Sequence, residues 1–259
     1  MKDSTILNKN IVIKIFILFF WICIWQVMYM VVGKAVIIPS PYKTFIVLIN
    51  LIKTEQFISI ILTSIGRVLL GFIFSVILGV ILGIFCGLNQ LAFEFINPVI
   101  TSIKSTPVMS FIIIALIWFK SSNVPIFICF LMCVPIIWTN VIHGINEVDD
   151  KLIKMAKLYK VKKIYMIKDI FIPSMKPYLF AGCITALGLG WKVTVAAEVL
   201  STPKYSIGTH LYNAKVYLDT ESLFAWTIVV IILSLFFEKI LLKLIRKGSR
   251  YGYSNRKSI

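Results

Sequence analysis

Six apolar runs, each close to the length of a bilayer-spanning helix, limit what this 259-residue chain can fold into more than any other feature. They cover Ile11 to Val32, Ile65 to Leu88, Pro98 to Phe119, Val124 to Ile142, Tyr178 to Leu200 and Leu223 to Leu244. A helix rises about 1.5 Å per residue, so about 20 apolar residues cross the hydrocarbon core. Lipid offers the backbone no hydrogen bonds, and a helix meets that demand within a single segment. Composition points the same way: 59% of residues are apolar and 15% charged, against about 45–50% and about 25% in soluble domains. The sequence predicts an all-α integral membrane protein of six transmembrane helices. A cleaved signal peptide is the rival reading of the first run. That run is longer than an h-region of about 7–15 residues, and no A-x-A site follows it. A retained span is expected.

The segments between the runs suggest three regions: 1–64, 65–245 and 246–259. In the first, Ile38-Pro39-Ser40-Pro41 reads as a turn or extended entry, because proline biases its predecessor away from helix. Tyr42 to Ile52 then fits an amphipathic helix too short and too charged to span. In the second region, Gly79, Gly83 and Gly87 recur every fourth residue, a stripe that lets helix backbones approach closely. Asn89 to Asn97 reads as a short connection and Lys120 to Asn123 as a tight polar turn. Pro107 lies inside the third run, so Ser105-Thr106-Pro107 is either a packing kink or a break lining a pathway. Pro135 lies inside the fourth run, and Ser201 to Ser222 reads as a polar connection. The basic tail from residue 246 is expected to fray.

The formal charge of +16 raises nucleic-acid binding as a possibility, but no recognition motif accompanies it. The basic residues sit mainly in two blocks, one between apolar runs and one at and after the end of the last. One is the segment 143–177, with Lys151, Lys154, Lys157, Lys160, Lys162, Lys163, Lys168 and Lys176. The other is the tail, with Lys239, Lys243, Arg246, Lys247, Arg250, Arg256 and Lys257. Six spans place both termini on one side, and the bias of Lys and Arg makes that side the cytoplasm. A multi-pass plasma or inner membrane protein is expected. Cys23, Cys86, Cys129, Cys133 and Cys183 all fall in or beside apolar runs, where thiols pack as small hydrophobes. There is no G-x-x-x-x-G-K-[ST] phosphate loop, no H-E-x-x-H and no G-x-S-x-G. The chain is read as no enzyme, with no cofactor or metal of its own.

Two places remain as candidate sites. In 149–177, Leu152, Met155, Ala156 and Tyr159 recur as one apolar helix face while Lys151, Lys154 and Lys157 point elsewhere. Val161 to Phe171 repeats the pattern. Such a pair either lies on anionic lipid or docks into a partner's groove, and physics alone leaves both open. In the fifth run, Lys192 and Glu198 are ionisable groups at membrane depth, where charge is costly. Lys192 lies roughly 22 Å along the helix from Pro177, past the midplane. At 100° per residue, Trp191, Thr194 and Glu198 share a face and Lys192 sits apart. Lys192 either has a structural role, snorkelling outward or pairing with Glu198 of a neighbouring chain, or offers charge to an anionic solute.

These residues resemble a known family. Positions 154–173, K-M-A-x3-K-x9-I-F-I-P, are similar to the EAA loop of bacterial ABC importer permeases, roughly E-A-A-x3-G-x9-I-x-L-P. Ala156, Ile170 and Pro173 match it. I-P-S-P at 38–41, T-S-I-G-R-V-L-L-G-F at 63–72, P-V-I-T-S-I-K-S-T-P at 98–107, A-L-G-L-G-W-K-V-T-V-A-A-E at 186–198 and S-I-G-T-H-L-Y-N-A at 206–214 resemble the nitrate/sulfonate/taurine-type permeases. The resemblance runs through nearly the whole chain after about residue 36. It implies a homodimeric or pseudo-dimeric pore, two cytoplasmic ATPase subunits carrying ATP-Mg, and an extracytoplasmic solute-binding protein. The loop becomes a cytoplasmic coupling helix between the fourth and fifth spans, with Leu152, Lys154, Met155, Ala156, Tyr159, Lys160 and Pro173 as docking residues. Thr106, Pro107, Trp191, Lys192, Thr194 and Glu198 become candidates for the translocation pathway of a small, anionic solute. Two departures stand out: Lys154 replaces the family's Glu and Lys160 its Gly. That Gly serves a turn with positive φ; a lysine there either strains the turn by about 1 kcal/mol or the turn is shaped differently. The replaced acid implies an ATPase with a less basic groove. A secondary transporter or channel is the alternative function, and a membrane enzyme is disfavoured by the missing catalytic clusters.

Overall fold

The computed structural model describes residues 2–254, and side chains within 13–243 apart from those of residues 14 and 241. Of the tail expected to fray, 246–254 is instead helical backbone at the end of the last helix, and 255–259 lie outside the described residues. Among the described residues every regular element is helical. They are α1 (Lys2–Val32), α2 (Pro41–Ile52), α3 (Gln56–Leu88), α4 (Gln90–Ser105), α5 (Val108–Trp118), α6 (Val124–Asn146), α7 (Asp150–Leu158), α8 (Lys163–Met166), a π-helical turn (Ile167–Phe171), α9 (Ile172–Ser201), α10 (Ile207–Val216) and α11 (Thr220–Ser254). Five of the described helices are long and apolar enough to cross a membrane, and there are six if the bent pair α4 and α5 is counted as one broken span.

The elements differ from the sequence reading at four places, each for a local reason. Helix α3 starts at Gln56 rather than at Ile65, because Ser59, Thr63 and Ser64 interrupt hydrophobicity without breaking a helix. Asn89 to Asn97 is not a connection. Asn89 alone links α3 to α4, and its side-chain oxygen accepts from the Leu91 and Ala92 amides at 3.1 and 3.4 Å. That N-cap lets α4 begin at once. The third run starts earlier, at Gln90, and breaks where Pro107 marked it: α4 and α5 meet at 103°, with Thr106 and Pro107 at the corner. Residues 201–222 contain α10 rather than a plain loop.

The chain divides into two compact units, Met1–Ser59 with His210–Val230, and Ile60–Thr209 with Ile231–Ile259. In the first, the extended Ile38-Pro39-Ser40-Pro41 segment leads into α2. Pro41 opens the helix where its missing N–H costs nothing, and Ser40 accepts from the Lys43 amide at 3.3 Å. Trp25 donates its indole N–H to the Pro39 carbonyl at 3.1 Å and stacks on Phe224. Phe57 and His210 both pack on Trp226.

In the second unit, α6 is the central helix. Gly71, Gly79, Gly83 and Gly87 of α3 abut Cys129, Ile137, Val141 and Ile145 of α6 in the same order, so the two helices run parallel in register. A Cβ at Gly79, Gly83 or Gly87 would come within 2.7–2.8 Å of the facing side chain. The four-residue glycine stripe is therefore an α3–α6 contact, as small-residue stripes in membrane helices generally are. Against α9, α6 runs antiparallel: Gly144 meets Met175, Asn140 meets Gly182, and Cys133 meets Gly190. Cys129 and Cys133 are thus buried packing residues, as free thiols.

Candidate functional site

At one end of the second unit, the 202–206 loop is tied down by a buried polar cluster. Arg67 on α3 donates to Glu198 Oε1 on α9 at 2.7 Å, with the two side chains 7% and 0% exposed. Ser64, one turn before Arg67, places its hydroxyl 2.9 Å from both carboxylate oxygens and donates to them. The N-terminus of α10 completes the shell. The Gly208 amide donates to Glu198 Oε2 and the Ile207 amide to Ser64 Oγ, both at 3.1 Å. Helix N-termini favour negative charge in this way. Arg67 also donates to the carbonyls of Lys204 and Tyr205, at 3.0 and 3.3 Å. Gly208 has a steric reason: a Cβ there would lie 2.3 Å from Glu198 Cβ and 2.5 Å from the Val199 nitrogen. Only glycine lets the α10 backbone come close enough to bond the carboxylate.

Arg67 is the residue that the sequence reading passed over, and it bears most on Glu198. The signal was present: a single arginine inside an otherwise apolar run is an intramembrane charge that needs a partner. Trp191, Thr194 and Glu198 do share one face, but that face is turned into the protein. They are 1%, 0% and 0% exposed. Trp191 packs on Phe237, and Thr194 bonds the Gly190 carbonyl at 2.7 Å. Lys192 lies on another face and is exposed. Glu198 is paired inside its own chain, so it does not partner Lys192 of a neighbour.

At the other end, α7 and α8 form a helical hairpin. Asp149 caps α7 by accepting from the Lys151 amide at 2.8 Å. The turn after α7 has the backbone of a glycine-type C-cap: the Val161 amide bonds the Ala156 carbonyl at 2.9 Å, and the Lys160 amide bonds the Lys157 carbonyl at 3.0 Å. This pattern requires a left-handed residue at the position Lys160 occupies, and its φ is +52°. The strain expected of a lysine there is therefore present.

The outward face of α7 is rotated from the one read by periodicity. Ala156 is only 4% exposed and points into its own chain, so it is not part of an open docking surface. Leu152, Met155, Leu158 and Tyr159 are 43%, 50%, 79% and 75% exposed. Leu158 takes the place given to Ala156, because Ala156 and Ile153 are the side that packs inward. Lys154 and Lys160 are both exposed. Pro173 lies just after the π-helical turn. It has no N–H for the Asp169 carbonyl, and the Ile172 amide bonds Ile167 one residue further back than an α-helix would. Beneath the hairpin is a groove of about 510 Å³ lined by residues including Ile153, Lys157, Lys160, Lys163 and Phe171.

At the corner of the broken span, Thr106 is half-buried and Pro107 exposed. Thr106 Oγ1 donates to the Ser102 carbonyl at 2.7 Å, closing the end of α4. A second groove, of about 610 Å³, is lined by Phe74, Ile77, Phe119, Phe127, Phe130 and other apolar side chains, with Asn123 at its edge. It suits an apolar neighbour rather than a polar solute. No group of three or more metal-ligating side chains occurs among the described residues.

Five to six helices long and apolar enough to cross a membrane, one of them a bent pair, define a multi-pass membrane protein. The model of the binding-protein-dependent transport system inner membrane component family matches residues 79–250, and the chain belongs to that family. It is 26% identical over 208 residues to a probable ABC transporter permease protein of Brucella melitensis biotype 1, covering 80% of this chain and 84% of that one. It is 31% identical over 155 residues to the nitrate import permease protein NrtB of Synechococcus elongatus, covering 60% and 55%. Its fold matches a chain of the MetNI methionine ABC transporter, solved in inward-facing conformations, with a TM-score of 0.65 over 75% of this chain and 98% of that chain at 11% identity. The chain is the permease component of an ABC importer, resident in the inner membrane.

Proposed function

We propose that two copies of this permease form the pathway for a small oxyanion, nitrate- or sulfonate-like, delivered by an extracytoplasmic binding protein. Cytoplasmic ATPase subunits holding ATP-Mg drive it. The observation that carries the ATPase contact is the α7–α8 hairpin. It exposes Leu152, Met155, Leu158 and Tyr159 together on a short capped helix. Exposed apolar side chains at this spacing are the pattern of a helix that enters a partner's groove. Lys154 stands beside them and asks for an acidic or neutral rim on the partner. Both termini and the hairpin face the cytoplasm, in line with the lysines of 143–177 and of the tail. The Arg67–Glu198 cluster then lies at the extracytoplasmic end, where it holds the 202–206 loop in shape for the binding protein. Lys192, Thr106 and Pro107 border the pathway, while Trp191, Thr194 and Glu198 support it from inside the fold. The relative named for nitrate import supports the oxyanion reading.

The test is co-purification of the permease with its ATPase from detergent-solubilised membranes. Met155→Asp and Leu158→Asp each place a charge in the buried contact and are expected to release the ATPase. Ala156→Ser, facing inward, is expected to keep it. Retained ATPase in both aspartate variants sinks the docking face.

A further inference from the structure

The second unit carries a polar face that neither the buried cluster nor the hairpin uses. On α4, Lys104 reaches across to α6 and donates to Thr139 Oγ1 at 2.7 Å. Thr139 gives its own hydrogen to the Pro135 carbonyl, also at 2.7 Å, so a lone pair on its oxygen is left for the ammonium. His143 follows Thr139 one turn along α6 and is exposed. On α9, Thr185, Gly188 and Lys192 fall at helical spacing and are all exposed. A Cβ at Gly188 would meet nothing within 4 Å, so the space beside it is open. The contacts of α6 put these residues on one side. Its α3-facing residues are Ile137, Val141 and Ile145, and its α9-facing residues are Cys133, Asn140 and Gly144. Trp138 and Ile142 pack with Ala92 and Ile100 of α4. At 100° per residue, Thr139 and His143 occupy the gap between the α4 and α9 contacts.

This face is a poor surface for lipid. A lysine that faces lipid extends toward the headgroups, whereas Lys104 turns to a neighbouring helix. An ammonium has three donors. Thr139 takes one, and among the described residues no carboxylate pairs with Lys104 or with Lys192. Asn140 packs against Gly182, at the level of Lys104's partner Thr139. Lys192 is ten residues beyond Gly182, or about 15 Å at the helical rise.

We propose that Lys104, oriented by Thr139 at the corner of the broken span, is a cationic station for an anionic solute on the translocation face, with Lys192 a second station farther along α9. The inference rests on the oxyanion reading for its ligand, and on geometry alone for the open face that carries the two lysines. Lys104 is a specificity-determining residue: it uses its two remaining N–H donors for the solute's oxygens while Thr139 holds it on the face. Glu238 of α11 lines a small pocket with Gly188, so a carboxylate borders this face beside the two lysines.

The test uses the complete importer in membrane vesicles, with Cys23 and Cys183 replaced by serine and Thr185→Cys as a reporter. Two hydrophilic probes of similar size are compared, an anionic sulfonatoethyl and a cationic trimethylammonioethyl methanethiosulfonate. Each rate is referred to the probe's reaction with a free thiol. The reporter is expected to react from water, with the anionic probe favoured on the order of tenfold. Lys104→Gln removes most of that preference, and Lys104→Arg keeps it. A reporter inert to both probes, or a preference untouched by Lys104→Gln, overturns the proposal. Uptake of labelled nitrate and ethanesulfonate is measured in parallel on vesicles of the importer without the cysteine changes. Accumulation of neither, with the Lys104-dependent preference intact, overturns the oxyanion reading and leaves the cationic face standing. Accumulation by the wild type that Lys104→Gln lowers at least severalfold, while ATPase assembly is unchanged, supports both.

Discussion

Removing Arg67 tests the buried cluster most directly. In Arg67→Met the Glu198 carboxylate stays 0% exposed and keeps Ser64 Oγ and the Gly208 amide, but loses its only counter-charge in the cluster. Breaking a buried ion pair from one side costs about 3–5 kcal/mol, because it leaves an uncompensated charge out of water. The two surviving hydrogen bonds put the change toward the lower end. Lys204 and Tyr205 also lose the donors that hold their carbonyls, at about 1 kcal/mol each. The loss is then about 5 kcal/mol; for a chain of this size about 1 kcal/mol corresponds to about 2–4 °C, so the apparent melting temperature of the detergent-purified permease is expected to fall by about 10–20 °C. Glu198→Leu is expected to fall by a similar amount, since Arg67 is then stranded. The double variant removes both charges and is expected to be less destabilised than the sum of the singles by at least about 1.5 kcal/mol, as groups in direct contact are. The coupling should persist in high salt, because ions do not screen a pair this deeply buried. Single variants within about 0.5 kcal/mol of wild type, or strictly additive losses, would refute the assignment of Arg67 and Glu198 as one structural unit.

Lys160→Gly relieves a left-handed lysine and is expected to stabilise the turn by about 1 kcal/mol. Amide exchange at Val161, whose N–H bonds the Ala156 carbonyl, should slow about fivefold; an unchanged or faster rate counts against the strain. His210 stacks on Trp226 with ring centroids 4.9 Å apart, and burial pushes its imidazole below the ordinary value. Its folded pKa is depressed, so the contribution to stability is full above about pH 6.5 and is lost as pH falls through the lower folded value. A melting temperature that drops on acidification through that window, and no longer does so to the same extent in His210→Phe, is the expected result.

Much of the fold was legible in the sequence, because membrane spans announce themselves by length and hydrophobicity. Glycine spacing exposed a packing stripe, and the lysine-rich interruption with its distant proline marked the two-helix hairpin. The positive φ at Lys160 was readable from the glycine that its position calls for. The candidate sites were less legible. Periodicity placed Trp191, Thr194 and Glu198 on one face correctly but could not say which way that face turned. The same limit applied to α7, where Ala156 went inward and Leu158 outward. Arg67 and Glu198 are 131 residues apart in sequence, and nothing local to either reports the other.

The sequence by itself determined that the chain is helical, that it belongs in a bilayer, and where it leaves the bilayer for a lysine-rich hairpin. Those outcomes follow from local properties: apolar length, backbone hydrogen bonding without water, and the φ/ψ preferences of single residues. Only the tertiary structure decided which helix faces meet. It paired Arg67 with Glu198, brought the α10 backbone onto the carboxylate through Gly208, and set Lys104 on Thr139 across the broken span. The physical reason is that a helix fixes the angle between its own side chains but not its rotation about its axis. That rotation is set by packing against neighbours, here by glycines that admit α6 to α3 and to α9.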